Sequence, residues 1–124
     1  MEYKMMKAVY RNLSLIGLLA AFALVASAAQ VQGVLMDKMC SARAVKDGQS
    51  FAASHDTKCA LEPPCQKTGY GVFTADNKFL ALDAAGNTKA VAALKASKKT
   101  DNLKVTVEGD VQGDTIKVAS LKLQ

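Results

Sequence analysis

The chain has 124 residues, with 16 basic and 11 acidic side chains, so its formal net charge at pH 7 is +5. The lysines are scattered, and aromatic residues make up only 6% of the sequence. A nucleic-acid-binding surface is expected to cluster basic residues among aromatic ones, so this composition argues against nucleic acid as a partner. The length favours one small domain, a size at which disulfides or metal ions often add stability.

Residues 1–28 have the three parts of a secretory signal peptide. A basic start precedes the apolar run Leu13–Ala26, and Ala26 and Ala28 provide the small side chains needed for cleavage. The segment predicts an exported protein, periplasmic or secreted, in which residues 29–124 form a single domain. That domain would carry 13 basic and 10 acidic residues, a net charge of +3. The alternative is an uncleaved anchor, which would give the chain a contact with the membrane.

The first strand is predicted at Gln30–Met36, where polar and apolar residues alternate and Val31 and Val34 are β-branched. The next segment, Asp37–Thr68, is polar, is interrupted by glycine and proline, and contains every cysteine. It predicts a long loop with, at most, a short helix around Ser41–Val45. Loops of this length inside compact domains are usually functional or held by cross-links.

Regular patterns return after this segment. The apolar runs Tyr70–Thr74 and Lys78–Asp83 flank a polar turn and predict a β-hairpin. The sequence Ala85–Asn87 is then expected to break the sheet before a helix at Thr88–Lys98. Asn87 or Thr88 would cap that helix, and lysines near its end would interact favourably with its dipole.

Two alternating strands complete the chain, at Leu103–Val111 and Thr115–Leu123. In the last one the apolar face changes between Val118 and Leu121, which indicates a bulge or a strand that bends from one sheet layer to another. The predicted order is strand, long loop, two strands, helix, two strands. This order favours a mainly β fold with one helix, a small five-stranded OB-like barrel whose long loop lies between the first two strands. The alternative is a five-stranded sheet with a helix packed on one face.

Cys40, Cys59 and Cys65 are disulfide candidates, because thiols tend to pair in an oxidising compartment. A bond from Cys40 to either of the others would close a loop of about 20–26 residues, a stabilisation of about 3 kcal/mol in the chain-entropy model. Three single pairings exist, and the spacing does not choose among them. The remaining thiol could be reactive or could form a covalent dimer.

The same cysteines and His55 could instead bind a metal ion. Three thiolates and an imidazole suit zinc or copper, and Asp37, Met36 and Met39 lie nearby in sequence. The spacing His-x3-Cys from His55 to Cys59 fits two ligands on one turn. Against this, the Cys-x2-Cys pair of many zinc sites is absent, and an isolated histidine is often only a surface residue. A thiol-redox role is a further alternative, although no Cys-x-x-Cys pair supports it.

Four stretches carry a resemblance to other proteins: GVLMDKMC, HDTKCALEPPCQKTGYGVF, KFLALDAAGN and VTVEGDVQGDTIKVASL. Over nearly all of residues 30–123 the chain resembles a group of small exported bacterial proteins of uncharacterised function. These have an OB-like β-barrel domain and a loop that bears cysteine and histidine. The resemblance implies a single exported β-rich domain and no particular activity.

These observations favour a small exported binding or accessory module of the cell envelope, with no catalytic residues and with a disulfide-stapled loop. Its expected partner is an envelope protein or a small ligand. The alternative is a periplasmic zinc- or copper-binding protein, or a thiol-redox protein. That alternative would use Cys40, His55, Cys59 and Cys65.

Overall fold

The computed structural model describes residues 28–124, so the predicted signal peptide lies almost entirely outside the described residues. Five strands form one mixed sheet. They are β1 (Ala29–Asp37), β2 (Tyr70–Phe73), β3 (Phe79–Leu82), β4 (Lys104–Gln112) and β5 (Thr115–Leu123). The pairing order is β1-β2-β3-β5-β4, and β4 pairs with β1, so the order closes on itself. All pairs are antiparallel except β3 with β5.

The prediction of a mainly β fold with one helix was wrong, because helix accounts for 40% of the described residues and strand for 36%. The helices are α1 (Lys38–Asp47), α2 (Gln49–Ser54), α3 (Thr57–Ala60), α4 (Pro63–Thr68) and α5 (Ala84–Ala96). Four of them occupy the segment that had been predicted as a long loop, 37–68. Three of those four have at most six residues, which is too short for a clear helical period in the sequence.

Local sequence signals nevertheless explain where these short helices begin and where the chain turns between α1 and α2. Asp37 and Asp56 accept hydrogen bonds from the backbone N–H groups of Cys40 and Cys59. Pro63 stands at the first position of α4, where its missing N–H has no cost. Between α1 and α2 the chain reverses at Gly48, whose φ of 85° is readily adopted only by glycine.

The predicted hairpin is confirmed as β2 and β3, but α5 starts four residues before the predicted Thr88. Asp83 caps this helix by accepting from the N–H of Gly86 at 2.9 Å. Gly86 therefore lies inside the first turn and does not break the sheet. A Cβ there would stand 2.5 Å from Val118, so glycine allows α5 to pack closely on β5.

The phase change predicted in the last strand is confirmed as a register shift. Glu108 pairs with Ser120, and the next residue of β4, Gly109, pairs with Val118. Ala119 is therefore the extra residue of a bulge. Because of this extra residue, Leu121 lies on the opposite side of the strand from the one that strict alternation predicts. The bulge bends the longest strand pair of the sheet.

The core lies inside the sheet and continues beneath the short helices. Its largest fully buried side chains include Tyr70, Phe73, Leu35, Met36 and Leu94. The buried apolar residues of α1, α2 and α3 are the alanines Ala44, Ala52 and Ala60. Small side chains there let α1 and α2 pack closely against β1. In the part of the chain that the structure describes, no helix is long and apolar enough to span a membrane.

Candidate metal centre

The three cysteines occupy the same position in three different helices. Cys40, Cys59 and Cys65 are each the third residue of their helix, in α1, α3 and α4. An acidic residue stands at the N-cap three positions earlier, in the sequences DKMC, DTKC and EPPC. Side chains in a first turn point back toward the helix start, so three converging helix starts can bring three thiols together. This threefold acid-x-x-Cys spacing is a signal that our sequence analysis missed.

The four predicted ligands fall into two overlapping groups, which form one cluster through Cys40. The ligand atoms of Cys40, His55 and Cys59 lie within 4.8 Å of one another. Those of Asp37, Cys40 and Cys65 meet the same limit, so Cys40 belongs to both groups. Four ligands at the zinc–sulfur distance of about 2.3 Å from an ion would stand about 3.8 Å apart. Cys40, His55 and Cys59 could therefore hold a metal ion after small side-chain adjustments.

His55 is buried, which corrects the expectation that an isolated histidine lies on the surface. The residue ends α2 and is only 5% exposed. Its Nε2 lies 2.8 Å from Oδ1 of Asp37, but the geometry falls outside that of a hydrogen bond. Within residues 28–124, neither ring nitrogen has a hydrogen-bond partner. Leaving a buried polar group without a partner costs about 1–3 kcal/mol, a cost that a bound ion would remove.

Asp37 connects the histidine to the first cysteine. It is fully buried, and its Oδ2 accepts a hydrogen bond of 2.9 Å from the backbone N–H of Cys40. Burial alone would raise the pKa of this carboxyl. The contact with His55 and the hydrogen bond from Cys40 outweigh it, so the pKa of Asp37 lies below its ordinary value. The site therefore contains a buried carboxylate.

All three thiols have raised pKa values. Burial, followed by the nearby carboxylate of Asp37, raises the pKa of Cys40 to about 12 and that of Cys65 to about 11. Burial also raises the pKa of Cys59, with Glu62 and Asp56 adding to it. A redox-active cysteine would instead need a lowered pKa. A metal ion would have to displace protons from these thiols, so its affinity should increase with pH.

The cysteines are thiols in this structure, and the predicted disulfide stays a prediction. Cys65 is buried, whereas Cys40 and Cys59 are partly exposed. Because Cys40 Sγ lies within 4.8 Å of both other sulfurs, it is the shared neighbour in the cluster. Of the two methionines considered as ligands, Met36 is fully buried in the core and Met39 is 52% exposed.

Tyr70 supports the cluster from the sheet. Its hydroxyl donates a hydrogen bond of 2.6 Å to the carbonyl oxygen of Ala60, the residue after Cys59. Its backbone N–H donates to Oδ1 of Asn87 in α5. Burial, followed by Asp37, raises the pKa of Tyr70 to about 12, so the phenol keeps its proton as a donor. The tyrosine thereby connects α3, β2 and α5.

Fold and site together define a small mixed-sheet domain in which the segment connecting β1 and β2 carries a cluster of three cysteines and one histidine. Comparisons of the chain with protein-family models, curated proteins and solved structures found no match. What the cluster can do therefore has to be argued from its own groups. Thiolate and imidazole are the ligands that zinc and copper prefer.

Proposed function

We propose that this protein is an exported metal-binding module that holds a zinc or copper ion with Cys40, His55, Cys59 and Cys65. One observation carries the proposal: Cys40, Cys59 and a buried histidine that has no hydrogen-bond partner among the described residues lie together, and the start of a third helix places Cys65 beside Cys40. The exported location rests on the signal peptide predicted at residues 1–28.

The ligand set supports binding more than catalysis. Three sulfurs and one nitrogen would complete a tetrahedral zinc shell, as in structural sites, and would leave no open position for a substrate. The raised thiol pKa values also count against nucleophilic or redox chemistry at neutral pH. The module would thus act in the cell envelope as an accessory or binding protein, alone or with an envelope protein as its partner.

The arrangement of strands supports the finer description of the domain as an OB-like barrel. The order β1-β2-β3-β5-β4, the parallel pairing of β3 with β5 and the helix between β3 and β4 are all expected for that fold. In OB-like barrels the connection between the first two strands commonly binds the ligand. Here the same connection carries every proposed metal ligand.

The test is the metal content and zinc affinity of protein purified from the periplasm. Elemental analysis should find close to one zinc or copper ion per chain, and a competing chelator dye should report high affinity. Cys59→Ser and His55→Gln should each reduce that affinity strongly. Met39→Leu is the matched control, because it changes an exposed sulfur next to Cys40 and should leave affinity unchanged. A reduced, folded wild-type protein that binds neither ion would refute the proposal.

A disulfide-stapled accessory module is the second candidate, and the shared position of Cys40 between the other two sulfurs favours it. A disulfide between Cys40 and either Cys59 or Cys65 would use thiols that the metal ion needs. One molecule therefore cannot have the disulfide and the complete metal site at the same time. Intact mass after alkylation separates them. Three alkylated thiols after chelation support the metal site, whereas one alkylated thiol supports the staple. A dimer that a reducing agent converts to monomers would indicate an intermolecular disulfide through the remaining cysteine.

A further inference from the structure

Asp37 and Asp56 have the same local role but different surroundings. Each is an N-cap that accepts a hydrogen bond from the N–H of the cysteine three residues later, at 2.9 and 2.6 Å. Asp56 is exposed to solvent, whereas Asp37 is completely buried. A cap can be exposed and still serve its helix, so the burial of Asp37 requires a reason beyond capping.

The other oxygen of Asp37 supplies that reason. While Oδ2 accepts from Cys40, Oδ1 lies 2.8 Å from Nε2 of His55. One carboxylate therefore contacts the backbone of one proposed ligand and the ring of another. With Nε2 beside Asp37, Nδ1 is the ring nitrogen farther from the carboxylate, and neither nitrogen has a hydrogen-bond partner among the described residues.

We propose that Asp37 is a positioning residue for the metal centre, which orients His55 through Nε2 so that Nδ1 can bind the ion. This inference rests on the proposed function. Metal-binding histidines usually donate their second N–H to a carboxylate or carbonyl, which fixes the ring and increases its basicity. Loss of such a partner typically lowers metal affinity by about 10–100-fold.

The proposal also explains why a carboxylate is tolerated at this position. A buried negative charge needs nearby positive charge or hydrogen-bond donors. The Cys40 N–H and the edge of His55 provide part of this compensation, and a cation held by the neighbouring thiolates would provide the rest. Asp56 lies in solvent and needs no such compensation.

The experiment compares Asp37→Asn with the matched control Asp56→Asn in the full mature chain. Asparagine is as good an N-cap as aspartate, so both variants keep helix capping. Asparagine has only one side-chain oxygen, however, and at position 37 it cannot serve both Cys40 and His55 as an acceptor. Zinc affinity by chelator competition should fall by about 10–100-fold in Asp37→Asn and stay within about twofold of wild type in Asp56→Asn.

A double variant tests whether Asp37 acts through the histidine. In the His55→Gln background, adding Asp37→Asn should cost little further affinity, because the group that Asp37 orients is already gone. An equal cost with and without His55 would show instead that the charge of Asp37 acts directly on the ion, and would overturn the proposal. Asp37→Ser, which keeps a capping oxygen, replaces Asp37→Asn if that variant does not fold.

Cobalt(II) gives a readout that general destabilisation does not change. The visible spectrum of bound Co²⁺ reports the geometry and identity of its ligands. It should differ from wild type in Asp37→Asn and match wild type in Asp56→Asn. If wild-type protein binds neither zinc nor cobalt, the proposed function fails; if it binds both and Asp37→Asn behaves like wild type, only the role of Asp37 fails.

Discussion

The β4–β5 hairpin and the helical segment between β1 and β2 are stabilised in different ways. The hairpin pairs Val105 with Leu123 at one end and Gln112 with Thr115 at the other, and it buries alternate residues. The helical segment, 38–68, buries small alanines and polar groups, with Ser41 and His55 among its buried residues. Regular pairing distributes stability over many residues, whereas the helical segment depends on a few specific contacts.

Several of those contacts reach outside the segment. The backbone N–H of Thr57 donates to Thr100, and its hydroxyl donates to Lys99. Asn102 donates its backbone N–H to Ala53. The connection between α5 and β4 therefore holds the helical segment in place.

The largest effect is expected from a cavity in the hairpin. Ile116→Ala should lower the free energy of unfolding by about 2–5 kcal/mol, because Ile116 is fully buried. Chemical denaturation measures this loss. Zinc affinity per folded molecule should not change, since Ile116 is not part of the cluster. A large loss of affinity in the folded variant would contradict the separation of the two regions.

If the proposed site binds a metal ion, removing that ion should destabilise mainly the helical segment. At a free zinc concentration 100 times its dissociation constant, binding would stabilise the folded state by about 2.7 kcal/mol. Chelation should therefore lower the Tm and increase hydrogen exchange at residues 38–68 more than in β4 and β5. The variant Cys40→Ser/His55→Gln serves as control, because chelation should leave its exchange unchanged. An equal increase in hydrogen exchange in the helical segment and in β4 and β5 would contradict the proposed difference between the two regions.

A smaller loss of stability is expected when the hydroxyl of Tyr70, which contacts the residue after Cys59, is removed. Tyr70→Phe should cost about 1–3 kcal/mol, because the carbonyl of Ala60 loses its buried donor. Since Ala60 follows Cys59, zinc affinity should also fall. Thr115→Val is a suitable control, because this hydroxyl lies in the hairpin and has only a 3.4 Å contact with Asp114. Equal stability of Tyr70→Phe and wild type would show that the contact is dispensable.

The smallest effect concerns the thiols of the metal-free protein at high pH. Their pKa values are raised in the folded state, so above the ordinary thiol pKa of 9.0 the unfolded chain loses protons that the folded chain keeps. Stability should therefore be unaffected well below pH 9 and should fall as the pH rises from about 9 to 11. Thermal melts of wild type and Cys40→Ser across this range would check it. A slope that is the same in both would exclude Cys40 as the cause.

The strands were predictable because their contacts repeat along the chain. Alternating apolar residues located β4 and β5, and the change of phase between Val118 and Leu121 lies where the structure has the bulge at Ala119. The turn between β2 and β3 was equally clear. The start of α5 was not, because Gly86 resembles a helix breaker, and only its packing against Val118 explains it.

The helical segment gave much weaker signals. Its helices have too few turns for a measurable period, and its buried residues are alanines, which are equally common on surfaces. Residue type was enough to select Cys40, His55, Cys59 and Cys65 as candidate ligands, but their spacing did not predict that they would lie near one another. The repeated acid three residues before each cysteine could have located the helix starts.

By itself the sequence determined which residues alternate between core and solvent, where turns occur, and which side chains have metal-binding chemistry. These properties belong to single residues or to neighbours within a few positions. Only the tertiary structure decided that β4 returns to β1, that His55 is buried beside Asp37, and that three separate helix starts meet. Such outcomes depend on contacts between residues far apart in the chain, and no local pattern records which of them will form.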